Sequence, residues 1–148
     1  MASILLFGAT GLMGSHLVPA LKKACPSSPL TVYIRDTDSS LGSYLSQTVK
    51  VDKIVHGDFK ELDKISNLAA EHEVVINAGS SWDVPLSQAI IAGLKTRVEQ
   101  GKSKPSLIHI SGAGNFHDGR TDGKLSGDSK VWNVSFQIHI TRGGNELT

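Results

Sequence analysis

The chain has 148 residues, 15 Lys+Arg against 14 Asp+Glu, a formal net charge of +1 and 39% hydrophobic residues. One globular domain of that size buries roughly 70% of its unfolded surface, and a near-neutral chain with no basic block offers no electrostatic footprint for nucleic acid. No apolar run reaches the length of a membrane span, the opening Met-Ala-Ser-Ile-Leu-Leu-Phe-Gly has no secretory n-region, and the single Cys25 allows no internal disulfide, so a reducing, cytoplasmic location is expected.

Through residue 111, short apolar runs alternate with amphipathic stretches, the pattern of a parallel α/β sheet. Ser3-Ile4-Leu5-Leu6-Phe7 reads as a strand buried on both faces, since such strands are continuously apolar. Leu12, Met13, Leu17, Ala20, Leu21 and Ala24 have helical spacing, and Pro26 with Pro29 ends that helix. Cys25, next to Pro26, reads as a small buried apolar side chain. Leu30 to Ile34 is a second strand, followed by a polar stretch, 37–48, with Leu41, Tyr44 and Leu45 on one side of a short helix. Lys53 to His56 is a third strand, and Leu62, Ile65, Leu68 and Ala69 mark the helix after it. Glu73 to Ala78 is a fourth strand; Leu86, Ala89, Ile90, Leu94 and Val98 mark a long helix closed near Gly101. Ser106 to Ser111 is a fifth strand.

Beyond Ser111 the pattern changes. Residues 112–148 hold seven of the 15 glycines and few apolar residues before Val131. The expected division is therefore a core over residues 1–111 and a Gly-rich irregular tail over 112–148. An alternating run, Val134 to Ile140, has the pattern of an edge strand.

The strongest motif is Gly8-Ala9-Thr10-Gly11-Leu12-Met13-Gly14, between the first strand and the first helix. Glycines let the backbone approach a ligand, and the helix N-terminus adds free N–H groups and the positive end of its dipole, so a diphosphate is the natural partner. Gly8 permits the tight turn, Gly11 the close approach and Gly14 the packing of helix on strand. The competing reading is a turn that needs glycine for structure alone. The flanking strand and helix and the repeated βα pattern favour a dinucleotide.

Gly8-Ala9-Thr10-Gly11-x-x-Gly14 resembles the glycine motif of the extended and atypical short-chain dehydrogenase/reductases, a group with nucleotide-sugar epimerases, aldehyde and ketone reductases and NmrA-like regulators. His56-Gly57-Asp58-Phe59 resembles the family's Gly-Asp signature after the third strand, and Asn77-Ala78-Gly79 its Asn-Ala-Gly signature after the fourth. The resemblance implies an α/β, Rossmann-type, doubly wound parallel sheet of about five strands in the order 3-2-1-4-5. It further implies that Asp58 and Phe59 meet the adenine and that Ala78 and Gly79 flank the adenine-side ribose. The implied cofactor contacts are thus Gly8, Thr10, Gly11, Leu12, Met13, Gly14, Arg35, Asp58, Phe59, Ala78 and Gly79.

Arg35 closes the second strand, twenty-one residues after Gly14, and resembles the arginine that receives the 2′-phosphate in NADP-preferring members. A guanidinium suits a phosphate by its bidentate geometry, so NADP(H) is favoured. If the adjacent Asp36 faces the ribose instead, the cofactor is NAD(H) and Arg35 is a solvated charge.

Family enzymes carry a Ser or Thr near the end of the fifth strand and, further along, a Tyr-x-x-x-Lys pair whose phenol is the general acid/base. Ser111 is the candidate hydroxyl, although aligning the strand ends places Ala113 nearer the catalytic slot, and a serine there also serves by bonding local backbone. The tyrosine is absent: Tyr33 and Tyr44 both precede the fifth strand, and the positions four residues before Lys124 and Lys130 hold Arg120 and Ser126. His117 beside Asp118 is either a substitute acid or a solvated loop histidine. Trp82 and Trp132 either line a substrate pocket or are partly buried against a neighbouring helix. The six histidines show no tight metal spacing, so no metal is expected. Asn133-Val134-Ser135 matches a glycosylation sequon without a secretory signal.

Full members of the family are much longer, which makes this chain read as C-terminally truncated. Val134-Ser135 can be encoded by GTRAGT, the usual form of a eukaryotic 5′ splice site, so residues 134–148 are expected to derive from a retained intron or a truncated gene. The expected partners are a dinucleotide and a small-molecule substrate, without nucleic acid or membrane. The expected function is NADP(H)-dependent carbonyl reduction or epimerisation, impaired or lost in this short form; the alternative is an NmrA-like dinucleotide sensor without catalysis.

Overall fold

The computed structural model of the chain describes residues 1–37 and 40–111. The expectations for His117, Asp118, Trp132, the sequon, the alternating run and the tail as a whole lie outside the described residues.

Among the described residues, five strands form one parallel sheet: β1 Ile4–Phe7, β2 Leu30–Ile34, β3 Lys53–His56, β4 Val74–Asn77 and β5 Ser106–His109. Their order is β3-β2-β1-β4-β5, the doubly wound order that the family resemblance implies. β1 lies at the centre, with Ile4 opposite both Leu30 and Val74, and all four of its residues are buried. This explains its continuously apolar sequence, because both faces need cover.

The two faces carry separate cores, as the twofold alternation of strand side chains requires. Leu5, Phe7, Tyr33 and Val75 face α3 (Leu62–Glu71) and α4 (Val84–Glu99), packing with Ile65, Leu68, Leu86, Ile90 and Leu94. Ile4, Leu6, Leu30, Val32 and Ile76 face the other way, onto Val18 of α1 (Leu12–Ala24) and onto Leu45. Leu45 lies in a π-helical turn, Tyr44–Thr48, that continues the short α2, Ser40–Ser43.

Three local expectations are corrected. The inward face of α1 is built from Gly14 and Val18, with Leu17 and Leu21 packed partly against the core, whereas Leu12 and Met13 are exposed. Both sit in the first turn, above the sheet's end, where nothing in the core reaches them. Cys25 is exposed at the C-cap of α1, where its N–H donates to the Leu21 carbonyl. Trp82 is exposed too, on the loop leaving β4, and is not packed on a helix.

At the N-terminal ends of the strands, a polar cluster ties the layers together. Arg97, nearly buried on α4, donates to the carbonyls of Ser103 and Ala70 and lies 3.5 Å from the Glu73 carboxylate. Glu73 in turn accepts from the Ser3 backbone N–H at 2.6 Å. No helix among the described residues is long and apolar enough to cross a membrane.

Candidate functional site

The opposite end of the sheet, where the strands deliver their C-termini, holds the sequence motifs. Gly8 leaves β1 with a φ of +81°, and a side-chain carbon on it would lie 2.6 Å from the Ala78 carbonyl carbon and the Gly79 Cα. The turn after β1 is therefore pressed against the loop after β4, and only glycine fits there. The Gly11 N–H closes the turn onto the Gly8 carbonyl at 3.0 Å. Gly14 then brings α1 into contact with Gly8, leaving no room for a side chain between them.

The first turn of α1 is chemically open. Gly11, its N-cap, offers no side-chain acceptor, and no acidic residue lies in that turn. By contrast, Asp83 caps α4 by accepting from the Leu86 N–H at 2.9 Å. A helix start with free N–H groups and no carboxylate of its own attracts an anion.

Beside this turn is a cavity of about 230 Å³, lined by Gly8, Thr10, Gly11, Tyr33, Ile34, Arg35, Phe59, Ala78 and Gly79. The structure thus gathers residues from four strand ends at the switch point between β1 and β4, where open α/β sheets bind ligands. Leu12, Met13 and Gly14 lie alongside in α1 but do not line the cavity. Nor does Asp58, whose carboxylate accepts from the Lys60 N–H at 3.0 Å and so shapes the turn after β3. Arg35 is exposed at the cavity rim and takes no part in the three ion pairs found among the described residues.

Tyr33 and Ile34 also line the cavity, and the motifs alone did not single them out. Tyr33 faces Phe7 across the β1–β2 register and ends beside Gly57; an aromatic on the strand just before Arg35, with a glycine closing the next strand, was the available signal. Burial, then the nearby Glu61 and Asp58, push its phenol up to about 12. It therefore stays protonated and donates to the Asp58 carbonyl at 2.9 Å.

Asn77 is fully buried at the end of β4. Its Oδ1 accepts from the Gly79 N–H at 3.1 Å, which leaves its amide nitrogen to donate to the Ser80 carbonyl and to Nδ1 of His109. Asn77 thus holds the β4 loop in shape and joins it to β5. Beyond that loop, Ala78 and Gly79 are shared with a second compartment of about 330 Å³, lined also by Ser80, Ser81, Trp82, Ile110 and Ser111. The two compartments meet at Ala78 and Gly79, at the end of β4. Among the described residues, no group of three or more His, Cys, Asp or Glu is placed to hold a metal ion.

A family model, the NAD-dependent epimerase/dehydratase family, matches residues 4–95. No curated protein matches the chain. Among solved structures, the chain is similar to a wide-type short-chain dehydrogenase/reductase from Veillonella parvula in complex with NADP, with a TM-score of 0.59 and 20% identity over 77% of this chain and 49% of that one. It is also similar to an isoflavone reductase, with a TM-score of 0.55 and 25% identity over 79% of this chain and 39% of that one. A third, AtPrR2 with NADP+ and (+)-pinoresinol, gives a TM-score of 0.51 and 20% identity over 66% of this chain and 33% of that one. The chain spans less than half the length of each of these structures.

Proposed function

The chain belongs to the NAD-dependent epimerase/dehydratase family, and from that membership we propose that it binds NADP(H) across the two compartments at the C-terminal ends of the strands. The observation that carries this reading is the combination of the uncapped start of α1 with the cavity under Arg35. The diphosphate would lie on the backbone N–H groups of the first turn of α1, over Gly11. The 2′-phosphate would meet the Arg35 guanidinium, which favours NADP(H) over NAD(H). The base would enter between Phe59, Ile34 and Gly79, and the nicotinamide end would reach the compartment of Trp82 and Ser111. The relatives that hold NADP in their crystals support the same assignment.

When bound, the dinucleotide supplies hydride transfer, which makes reduction of a small carbonyl the leading activity of the family type. The chain's own residues would orient the acceptor through the Ser111 hydroxyl and shield one side of it with the Trp82 indole. Neither tyrosine of the described core is placed as the proton donor. Tyr33 is committed to the Asp58 carbonyl, and Tyr44 lies in the π-helical turn, away from both compartments. By itself the chain would therefore hold the cofactor with little or no turnover. The same placement favours a second reading, a dinucleotide sensor of the NmrA type that binds without catalysis.

Calorimetric titration of the purified chain with NADPH and with NADH tests the proposal. Saturable binding with NADPH preferred is the expected result, and no binding of either at millimolar concentration removes both readings. Carbonyl reduction at rates usual for enzymes would reveal another acid, with Ser111 and His117 the first to replace.

A further inference from the structure

We infer that the Tyr33 hydroxyl is the positioning group for the adenine-end wall of this site: through the turn after β3 it fixes Phe59 at the place where the base lies. The inference rests on the dinucleotide reading and goes beyond it, because it assigns the wall's geometry to a hydroxyl engaged on the Asp58 carbonyl.

Tyr33 is 1% exposed, in the middle of an apolar cluster where a phenylalanine would fill the same space without a polar group to satisfy. Its hydroxyl is nonetheless used. It donates to the carbonyl of Asp58, the residue that delivers Phe59, and space for it exists because Gly57 has no side chain. A carbon on Gly57 would overlap the phenolic oxygen.

The Phe59 ring is then held from two sides. It lies nearly parallel to the Tyr33 ring, 14° apart with centroids at 6.4 Å, and edge-on to Phe7 at 6.3 Å. On its far edge, a side-chain carbon on Gly79 would come within 2.6 Å of Phe59 Cζ. Within the turn, the Asp58 N–H donates to the Glu61 carboxylate at 2.8 Å and the Glu61 N–H to the Asp58 carbonyl at 3.0 Å, while the Gly57 N–H reaches back to the Ile34 carbonyl on β2 at 3.0 Å. The turn is thus tied to β2 at two points, the Gly57 N–H at its start and the Tyr33 hydroxyl at the carbonyl that precedes Phe59. The wall it supports is apolar and flat-sided, next to the arginine proposed for the 2′-phosphate, so its chemistry suits a heteroaromatic base.

The test compares wild type, Tyr33→Phe, Phe59→Ala and the double variant, each titrated with 2′,5′-ADP, NADPH and NADH well below its Tm. Loss of one neutral hydrogen bond should weaken 2′,5′-ADP and NADPH by the same factor in Tyr33→Phe, about three- to tenfold. The NADPH:NADH preference should stay as in wild type, because Arg35 is untouched. The double variant should bind no worse than Phe59→Ala, since both changes act on one wall. A Tyr33→Phe protein with lowered Tm but wild-type affinity for 2′,5′-ADP overturns the inference, leaving the hydroxyl a purely structural role. So does a changed NADPH:NADH preference, or full additivity in the double variant. If wild type itself binds neither 2′,5′-ADP nor NADPH, the dinucleotide reading falls and takes the inference with it.

Discussion

Gly14, in the first turn of α1, lies so close to Gly8 that any side-chain carbon on it would overlap the Gly8 carbonyl oxygen. The contact sets how near α1 comes to the end of β1, and with it where the free N–H groups of the helix point. Gly14→Ala is expected to cost about 1–3 kcal/mol through overpacking against backbone that has no side chain to move aside. That corresponds to a fall of roughly 5–15 °C in Tm. Gly8→Ala should cost more, because the new carbon meets the β4 loop and the φ of +81° is itself unfavourable for alanine. Thermal unfolding followed by circular dichroism checks both. A Gly14→Ala protein as stable as wild type would mean that α1 and β1 can separate more easily than this contact implies.

Arg35 supplies the next test, because its charge is exposed at the cavity rim and is engaged in none of the ion pairs among the described residues. A guanidinium that receives a phosphate makes charge-assisted hydrogen bonds worth about 1.5–3 kcal/mol. Arg35→Ala should therefore weaken NADPH by roughly 10- to 150-fold and NADH by less than about twofold. Equal losses for the two cofactors would return Arg35 to a solvated surface charge and shift the choice toward Asp36 and NAD(H).

The glycine turn was legible in the sequence because Gly8, Gly11 and Gly14 meet one another within six residues, and the place of Arg35 because it directly follows an apolar strand. The strands were legible because burial on both faces leaves a mostly apolar run: β1 is apolar throughout, β2 is interrupted only by Thr31, and β4 is apolar up to Asn77. The face of α1 was not. Its apolar residues span more than one side, and only contact with the sheet selects Gly14 and Val18 over Leu12 and Met13. The roles of Tyr33 and Asn77 were hidden in the same way. Tyr33 reaches Asp58, twenty-five residues on, and Asn77 reaches His109, thirty-two residues on, and neither pairing exists until the parallel register is set.

Glu73 makes the low-pH behaviour of the fold predictable. The Ser3 N–H donated to its carboxylate, then the Ser3 hydroxyl, Arg97 and the Ser103 hydroxyl, hold its pKa below the usual glutamate range despite some desolvation. A folded pKa below the unfolded one adds stability that is fully present above the unfolded value, about 4.3. That stability is lost as pH falls through the folded value. Wild type should therefore exceed Glu73→Gln in stability at neutral pH, with the gap closing below about pH 4. Urea unfolding of both proteins across that range gives the measurement. A gap that is constant with pH would show that the charge on Glu73 contributes nothing and that its hydrogen bonds alone matter.

Trp82 reports on whether the two compartments act as one groove. Its indole is 72% exposed, lines the compartment with Ser111, and is connected through Ala78 and Gly79 to the cavity under Arg35. A dinucleotide anchored at Arg35 and laid across Gly11 would bring its reduced nicotinamide beside that indole. NADPH should then quench Trp82 fluorescence by energy transfer, whereas 2′,5′-ADP, which stops at the base end, should not. The chain's other tryptophan, Trp132, is removed as a source of signal by Trp132→Phe, so that variant should keep the NADPH-dependent quenching of Trp82. Since an exposed indole contributes little to the core, Trp82→Phe should shift stability by no more than about 0.5 kcal/mol, and the two variants can be compared at one temperature. Quenching that survives in Trp82→Phe and vanishes in Trp132→Phe would place the nicotinamide elsewhere and break the proposed path from Arg35 to Ser111.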